Sequence, residues 1–534
     1  MTSATLPTRQ PSDLIAGEWV QLPSGGEPGA GILSHDPAHP DRTVWAASPV
    51  ADNVDAAVNA ARDAFGPWAA MPVERRERVL RTYQHLCAEH KEPIAQLISL
   101  ETGKALWECR AEAGLLASKI DITLDDQNEQ NWGRARVRGF EIPINDAKSA
   151  RGHFRPHGVM AVVGPFNFPA HLPNGHIVPA LLAGNTVIFK PSDKTPAVGQ
   201  ALAELLDQAL REEKAPPGVV NLVQGDAANA SALVNHEGLD GILFTGSWPV
   251  GRRIIEANLD RPGRIVALEL GGNNPAVVMP DADLRQAAIE IARCAFNTTG
   301  QRCTSTRRLI VHKDVADPLI AAICKAGAGM IVGDPRGETP VFMGPLVTGE
   351  ARQAALNFQS RAARAGGEVL MEMTAPPALG DGHYITPGVI RVPEFTDRPG
   401  DDPKDADNAG FDCGCDDEVF GPLLRVAVVD SFDQALRQAN ATRYGLSSAI
   451  FTRERAQAER FLAESRAGCV NVNCGTAGAS SKLAFGGLGQ SGNHRPAGSY
   501  ALDYCMHPVA SMIETGDAAT MPEGMTFDES WLDL

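Results

Sequence analysis

The chain has 534 residues and an ordinary globular composition, with 43% hydrophobic and 21% charged residues. This length predicts two or three domains with large hydrophobic cores. The formal net charge of −17 argues against a general nucleic-acid-binding protein. The ten cysteines lack the spacing of secreted disulfide proteins, which favours a reducing, cytoplasmic location.

Targeting, membrane and metal signals are weak in this sequence. The N-terminus has no basic segment followed by an apolar run, so we expect no signal peptide. No stretch approaches the roughly 18 unbroken apolar residues of a membrane-spanning helix. Cys413 and Cys415 form the one close cysteine pair, and without a second pair or a nearby histidine we expect no metal site.

The first half of the chain changes from a helical pattern to an alternating one. Apolar spacing predicts helices at 53–65 and from 73 to about 125. From residue 158, strands alternate with helices, which predicts βαβ units and a parallel sheet with ligands at the carboxyl ends of its strands. The predicted strands are 159–163, 186–189, 219–223, 241–244 and 265–268, and the predicted helices are 172–183, 196–211 and 250–258.

A second alternating region runs from about 275 to 472, and two such units predict a cleft between them. The acidic, Gly- and Pro-rich segment 395–417 predicts a surface loop, and the last twenty residues predict an acidic tail. The predicted strands are 275–278, 308–311, 424–429 and 469–472, with helices near 283–296, 314–328, 350–365, 432–440 and 453–464.

Cys303 is the first candidate for chemistry. It follows an apolar helical pattern and the small polar stretch 297–302, which includes Gly300. A thiol exposed at a helix end or turn can be stabilised as thiolate by backbone N–H groups, and thiolate is the reactive form. This predicts a covalent nucleophile. A buried, inert thiol is the alternative, and the segment alone does not decide between them.

Two polar residues follow predicted strands. Glu269 stands between the apolar run 265–268 and two glycines, where a carboxylate lining a cleft can act as general base. A hydrogen-bonded structural acid is an equal alternative. Asn167 lies between Phe166 and Phe168 and can donate to a developing oxyanion, although a turn asparagine is the more usual interpretation.

Two further segments are typical of nucleotide contact. Gly246 and Gly251 bracket a strand-to-helix turn where the backbone can approach a phosphate. Their spacing matches neither common glycine-rich motif, so an ordinary turn is the alternative. Lys190 and Asp193 follow another strand and can contact a ribose, with the carboxylate repelling an added 2′-phosphate. A solvated charged turn explains them equally well.

Taken together, these segments resemble the aldehyde dehydrogenase superfamily over roughly residues 13–512. Glu269 precedes Cys303 by 34 residues, as the family pattern requires. Six motifs stand in the family's order: Pro165-Phe-Asn-Phe-Pro169, Lys190-Pro-Ser-Asp193, Phe244-Thr-Gly-Ser247 with Gly251, Glu269-Leu-Gly-Gly272, Gly300-Gln-Arg-Cys303 and Glu418-Val-Phe-Gly-Pro422.

The resemblance implies a role for each motif. Cys303 would attack the aldehyde carbon, Asn167 and the Cys303 backbone N–H would stabilise the oxyanion, and Glu269 would activate water to hydrolyse the thioester. Acylating members typically lack this acid, so Glu269 favours release of a free acid. The implied cofactor is NAD, bound by Pro165, Phe166, Lys190, Ser192, Asp193, Gly225, Gly246, Ser247, Gly251, Leu270, Gly271, Glu418 and Phe420.

The resemblance also implies an α/β fold with two Rossmann-type parallel-sheet domains and a small β oligomerisation arm. The expected NAD-binding domain is 13–137 with 158–270, and the catalytic domain is 271–484. The expected arm is 138–157 with 485–512, followed by an acidic tail at 513–534. A homodimer or homotetramer acting on a small-molecule aldehyde is implied, with no nucleic acid, membrane or metal involved.

The segments 168–185, 269–275, 303–308 and 491–496 narrow the resemblance to a subfamily that oxidises N-succinylglutamate 5-semialdehyde in arginine catabolism. Because that substrate carries carboxylates, Arg307, Arg308 and Arg495 are candidate ligands, with a structural role as the alternative. His171 and His176 are expected to be structural.

The Thr-Ser-Thr sequence after Cys303 departs from the subfamily pattern, and glutamate 5-semialdehyde is an alternative substrate. A non-catalytic protein on the same fold is a further alternative, against which the intact catalytic set argues.

Overall fold

The computed structural model describes residues 6–25, 31–124, 137, 139–396, 416–516, 519 and 521–532. Most of the predicted acidic loop, including Cys413 and Cys415, lies outside these residues, as does part of the predicted tail.

The strands are β1 (Ser12–Ile15), β2 (Glu18–Gln21), β3 (Ile32–Asp36), β4 (His39–Ala47), β5 (Phe140–Pro143), β6 (Lys148–Pro156), β7 (Val159–Val163), β8 (Thr186–Lys190), β9 (Val220–Leu222), β10 (Gly241–Thr245), β11 (Ile265–Glu269), β12 (Asn274–Val278), β13 (Thr306–His312), β14 (Glu368–Met371), β15 (Gly388–Arg391), β16 (Leu423–Val429), β17 (Ser447–Phe451), β18 (Cys469–Val472), β19 (Ala484–Phe485), β20 (Ala497–Gly498) and β21 (Met506–Glu514).

The helices alternate with these strands in the regions where the sequence predicts alternation. They are α1 (Asp52–Ala69), α2 (Val73–Glu89), α3 (Lys91–Thr102), α4 (Leu106–Leu124), α5 (His171–Ala183), α6 (Pro196–Glu212), α7 (Ala227–Asn235), α8 (Trp248–Ala257), α9 (Leu284–Phe296), α10 (Lys313–Ala328), α11 (Gly349–Arg364), α12 (Phe432–Asn440), α13 (Arg455–Glu464) and α14 (Ala501–Cys505). Among the described residues, no helix is long and apolar enough to cross a membrane.

The first large sheet has the strand order β11-β10-β7-β8-β9-β1-β2. The five strands from β11 to β9 run parallel, and the β1–β2 hairpin is added antiparallel at one edge. Helices cover both faces, so β7 is buried along its whole length. Its side chains alternate between two cores: Met160 and Val162 join one cluster, and Val159 and Ala161 join the other.

The second large sheet has the order β14-β15-β16-β13-β12-β17-β18. All of its strands are parallel except β14 at one edge. The same alternation recurs in β12, where Val277 and Val278 point into separate cores. Both sheets therefore have the covered, parallel form that the α/β pattern predicted.

The predicted helical region from 73 to about 125 is divided into three helices. α3 ends at Gly103, which has a left-handed φ of 72°. A Cβ atom there would lie 2.7 Å from Cγ of Pro345, so the close approach also requires glycine. The break turns the chain into α4, which then packs against α5 beside the site described below.

A separate antiparallel sheet has the order β21-β6-β5 and falls in the segments expected to form an arm. β21 pairs with β6 along nine positions, from Met506 opposite Pro156 to Glu514 opposite Lys148. Phe140, Ile142 and Met512 are exposed on this sheet. Its role in oligomerisation, and the division of the chain into domains, stay predictions.

Candidate active site

Two cavities meet at Cys303. The larger has a volume of about 680 Å³ and lies at the carboxyl ends of β7, β8 and β10, where a parallel sheet places its ligands. The smaller has a volume of about 160 Å³. Cys303, Leu172 and Thr245 line both, so one thiol is accessible from two separate spaces.

The turn before Cys303 has an unusual backbone. Thr298 and Thr299 have left-handed φ values of 53° and 54°, and Gly300 follows at 72°. A Cβ atom on Gly300 would lie 2.1 Å from the carbonyl oxygen of Gly421, so this position requires glycine. Residues in this conformation cost free energy and persist only where neighbours hold them.

Glu108 of α4 holds this turn. Its carboxylate accepts from the Thr298 backbone N–H at 2.9 Å and from the Thr298 hydroxyl at 2.7 Å. The Arg302 guanidinium donates to the same carboxylate at 2.7 Å. Three bonds to one buried acid fix the segment that carries Cys303, which is how a strained turn can be maintained at a functional site.

The thiol of Cys303 is a weak acid in this environment. Burial, followed by the carboxyls of Glu418 and Glu269, raises its pKa to about 12 against the opposing influence of Arg307 and Arg302. This raised pKa gives no support to the expectation that backbone N–H groups stabilise a thiolate here. The thiol is protonated at neutral pH and has to lose its proton as it reacts.

Glu269 is the last residue of β11 and lines the smaller cavity with Cys303. Only 4% of it is exposed. One carboxyl oxygen accepts from the Ala497 N–H at 3.3 Å, and the other has no partner among the described residues. Burial raises the pKa of Glu269 well above its ordinary value. A buried acid that lines a cavity and has one unpaired oxygen is suited, in its deprotonated form, to take a proton from water there.

Asn167 lies past β7 and lines the larger cavity with Cys303. Its side-chain amide donates to the carbonyl of Gln301 at 2.9 Å, two residues before the thiol. The backbone carbonyl of Asn167 accepts from the Lys104 ammonium at 3.0 Å. A carboxamide has two N–H groups, so a second donor remains for a ligand. The predicted oxyanion role of Asn167 stays a prediction.

The larger cavity gathers most residues expected to bind a nucleotide. Gly225 and Gly251 do not line it. Gly225 accepts from Lys190 through its carbonyl at 2.5 Å, and a Cβ atom on Gly251 would lie 2.8 Å from a methyl carbon of Leu270. Each of these two glycines therefore contacts a residue that lines the cavity, without lining it itself. The predicted residues that line it are Pro165, Phe166, Lys190, Ser192, Asp193, Gly246, Ser247, Leu270, Gly271, Glu418 and Phe420.

Glu418 is fitted closely against the backbone after β11. Its carboxylate accepts from the Gly272 N–H at 3.0 Å and lies 3.4 Å from the Arg307 guanidinium. A Cβ atom on Gly271 would lie 1.8 Å from the other oxygen, so only glycine fits there. Burial raises the pKa of Glu418, and Arg307 and the Gly272 hydrogen bond oppose this. The site offers a buried acceptor for hydroxyl groups.

Lys190 and Asp193 lie together at the end of β8. Burial lowers the pKa of Lys190 to about 8, against the influence of Asp193 and Asp226. The Asp193 carboxylate lines the cavity and is partly exposed, 3.1 Å from the Lys194 ammonium. One wall of the larger cavity therefore carries a buried cation beside an accessible anion.

Arg307 and Arg308 are not substrate ligands, which corrects the sequence-based expectation. Both are fully buried in β13 and neither lines either cavity. Arg307 donates to the carbonyls of Val419, Ser305 and Arg302, and Arg308 donates to those of Asn273, Gln438, Ala439 and Ala441. Arg495 does not line either cavity and donates to the adjacent His494 carbonyl at 3.4 Å.

The two histidines of α5 line the smaller cavity. His176 is held by the Tyr504 hydroxyl at 2.8 Å and the Thr245 hydroxyl at 3.2 Å, as a structural residue would be. Burial lowers the pKa of His176 to about 3 and that of His171 to about 4, so both are neutral at pH 7. The Nδ1 atom of His171 has no partner among the described side chains and backbone.

The sequence did not point to an ion pair beneath the site. The Lys104 ammonium lies 2.5 Å from Glu112, and both side chains are buried. Glu112 also accepts from the N–H groups of Ala170 and His171, and Lys104 lies 3.8 Å from the ring centre of Phe168. Glu108 and Glu112 stand four residues apart on a mainly apolar helix face, a spacing that signals buried acids with partners.

Comparison with known proteins assigns the chain to a family. Residues 26–510 match the model of the aldehyde dehydrogenase family. The N-succinylglutamate 5-semialdehyde dehydrogenase 2 of Caulobacter vibrioides is 45% identical over 93% of this chain and 95% of its own length. The N-succinylglutamate 5-semialdehyde dehydrogenase of Sphingopyxis alaskensis is 43% identical over 92% of this chain and 96% of its own length.

Solved structures agree with these sequence relatives. PnpE from Pseudomonas sp. WBC-3 has a TM-score of 0.83 at 32% identity, covering 97% of this chain and 100% of PnpE. PnpE in complex with nicotinamide adenine dinucleotide has a TM-score of 0.84 with the same identity and coverage. The match over nearly the whole chain, with Cys303 and Glu269 at one cavity, shows that this protein belongs to the aldehyde dehydrogenase family.

Proposed function

We propose that this protein oxidises N-succinylglutamate 5-semialdehyde to N-succinylglutamate with NAD as the electron acceptor. The observation that carries this proposal is the position of Cys303, which lines a nucleotide-sized cavity and a smaller cavity that also holds Glu269. Relatives that are 45% and 43% identical over most of their length are named for this substrate. A fold neighbour binds the same dinucleotide.

The larger cavity fits NAD in size and chemistry. Its volume of about 680 Å³ is within the range of cofactor sites. Lys190 supplies a buried cation, Glu418 supplies a partly buried acceptor, and Gly271 allows close approach. When bound, NAD accepts a hydride from the carbon attached to Cys303. The Asp193 carboxylate in the wall repels a 2′-phosphate, which favours NAD over NADP.

The residues of this chain carry out the remaining steps. The Cys303 thiol releases its proton to solvent as its sulfur bonds to the aldehyde carbon, and the free N–H of Asn167 donates to the resulting oxyanion. Loss of hydride leaves a thioester on Cys303. Glu269 takes a proton from water as the water oxygen attacks the thioester carbon, and the sulfur leaves with release of the free acid.

The proposed function is tested by comparing aldehydes with the purified protein and NAD. NADH formation is measured for N-succinylglutamate 5-semialdehyde, glutamate 5-semialdehyde and simple aliphatic aldehydes. We expect the highest kcat/KM for the succinylated substrate. An equal or higher kcat/KM for glutamate 5-semialdehyde would transfer the assignment to that substrate, and no NADH with any aldehyde would refute the reaction.

The apolar side chains exposed on the β5-β6-β21 sheet support a homo-oligomer. Phe140, Ile142 and Met512 are 59%, 51% and 62% exposed on this small sheet, and grouped apolar residues of this kind mark protein contacts. Because Cys303 has to stay a reduced thiol for the reaction, we also place the protein in the reducing cytoplasm.

A further inference from the structure

The smaller cavity contains a buried ammonium group that the reaction at Cys303 does not use. Lys119 lies on α4, lines this cavity and is 3% exposed. Its Nζ atom donates to the carbonyl of Gly498 at 2.6 Å. Within the described parts of the chain, no carboxylate lies within ion-pair distance of it. A buried charge without a counter-ion is costly, so its retention beside a cavity needs an explanation.

The surroundings of Lys119 offer further polar contacts for a ligand. His171 lines the same cavity, and its Nδ1 atom has no partner within the described residues. Ser480 and Ser481 also line it. The other walls include Phe168, an apolar side chain without a hydrogen-bond donor or acceptor. The cavity therefore combines an apolar wall with one cation and a few hydrogen-bonding groups, the usual composition of a selective ligand site.

Three other cations near the site are already paired with carboxylates. The Lys104 ammonium is bound to Glu112, and Arg302 is bound to Glu108. Arg307 is paired with Glu418. Lys119 differs from all three because its one recorded acceptor is a neutral carbonyl. Burial lowers the pKa of Lys119 to about 8, so the ammonium is still mostly protonated at pH 7 and can bind an anion.

We propose that Lys119 binds a carboxylate of the aldehyde substrate and so selects carboxylated semialdehydes over neutral aldehydes. This inference rests on the proposed function and gives Lys119 the role that the sequence suggested for arginines. A bound carboxylate supplies the missing counter-ion and forms a charge-assisted hydrogen bond. The imidazole of His171 contributes a neutral hydrogen bond beside it. A neutral aldehyde leaves the ammonium unpaired, which lowers its affinity.

The test compares Lys119→Met with the wild type on two aldehydes of similar length, N-succinylglutamate 5-semialdehyde and a neutral aliphatic aldehyde. We expect kcat/KM for the carboxylated substrate to fall roughly 10- to 100-fold, mainly through KM, because one charged hydrogen bond is lost. For the neutral aldehyde kcat/KM should stay unchanged or rise. Glutarate, a dicarboxylate without an aldehyde, should inhibit the wild type and lose this effect in the variant.

Lys325→Met is the matched control, since Lys325 is an exposed lysine on α10 that lines neither cavity. It should leave the ratio of the two kcat/KM values unchanged. If a folded Lys119→Met protein loses kcat/KM equally on both aldehydes, the inference is overturned. Lys119 would then have only the structural role of holding the Gly498 carbonyl.

The same experiment separates this inference from the proposed function. Succinate semialdehyde is included as a shorter carboxylated aldehyde. If the wild type prefers it to the succinylglutamate derivative, and Lys119→Met removes the preference for carboxylated over neutral aldehydes, the assigned substrate fails while the role of Lys119 stands. If the wild type prefers neutral aldehydes, both fail.

Discussion

At the scale of single residues, the two reacting groups both keep their protons more firmly than usual. Burial raises the pKa of Cys303 to about 12 and that of Glu269 well above its ordinary value. For both groups the reactive form is the deprotonated one. Because a raised pKa moves that form to higher pH, activity should increase as pH rises and be lost as pH falls.

Alkylation of Cys303 in the protein without added NAD should accelerate up to at least pH 10. Below a pKa, the thiolate fraction rises about tenfold per pH unit, so a thiol with a raised pKa shows no early plateau. The measurement is the rate of iodoacetamide labelling of the peptide that contains Cys303, by mass spectrometry. Exposed Cys474 in the same digest is the internal comparison. A plateau for Cys303 near pH 7 would contradict the assigned environment.

Glu269→Gln should retain a rapid burst of NADH and lose steady-state turnover by about 10²- to 10⁴-fold, the usual contribution of a general base. The amide keeps the shape of the side chain but cannot take a proton from water. Stopped-flow absorbance separates the two phases. The residual steady-state turnover of the variant should lack the pH dependence that the wild type shows. A variant that turns over at the wild-type rate would exclude Glu269 as the base.

Asp193→Ala should narrow the preference for NAD over NADP. The wild-type carboxylate repels a 2′-phosphate, and its removal leaves Lys190 and Lys194 to attract one. The relevant quantity is the ratio of kcat/KM for the two cofactors at saturating aldehyde. A wild-type protein that prefers NADP would show that Asp193 does not contact the ribose.

At the scale of elements, side chains of α4 hold in place the turn before Cys303 and the start of α5. Glu108 holds the turn before Cys303, and Glu112 joins Lys104 to the start of α5. The contacts of Glu112 with the start of α5 and of Glu108 with the turn link segments about 60 and 190 residues apart in the chain. Helix periodicity places both acids on one face of α4, but it does not say which backbone groups they meet, so the sequence alone could not predict the network.

Glu112→Gln should destabilise the protein strongly. Both partners of the Lys104–Glu112 pair are buried, and removing one leaves the other charge unpaired, at a cost of about 3–5 kcal/mol. Urea denaturation measures the change in the free energy of unfolding. The matched control is Glu92→Gln, which breaks an exposed pair with Arg110 and should have a much smaller effect. Equal effects of the two substitutions would contradict the assigned importance of burial.

The sequence was most informative where strands are buried on both faces. Continuous apolar runs such as Val159–Val163 located the parallel strands, because helices cover both sides of them. The strand Ser447–Phe451 was missed because it begins with two serines, and the helix Ala227–Asn235 because its apolar pattern is weak. Asp226 caps that helix through two backbone N–H groups, a signal that was available in the sequence.

For the site, motif order predicted which residues meet, and it failed where the partner is a backbone group. Cys303 lines both cavities, Asn167 lines the larger one and Glu269 lines the smaller one. An arginine that binds a carboxylate and one that binds carbonyls have the same sequence pattern, so Arg307 and Arg308 could not be distinguished beforehand. Lys119 was overlooked because no motif includes it.

At the scale of the whole molecule, the exposed face of the β5-β6-β21 sheet predicts assembly. Met512→Lys should shift the protein toward smaller species, because a lysine there would be buried without a partner in an interface. Sedimentation velocity measures the change. Leu462→Lys, at an exposed apolar position on α13, is the control and should leave the oligomer intact. A wild-type protein that is monomeric at micromolar concentration would contradict this prediction.

In the proposed reaction, the Cys303 thiol alone carries the acyl group between oxidation and hydrolysis. The most direct measurement is mass spectrometry of Glu269→Gln after mixing with NAD and N-succinylglutamate 5-semialdehyde and quenching in acid. We expect an N-succinylglutamyl thioester on the peptide that contains Cys303, formed at the same rate as the NADH burst. NADH formation without an adduct on Cys303, or with the adduct on another residue, would contradict it.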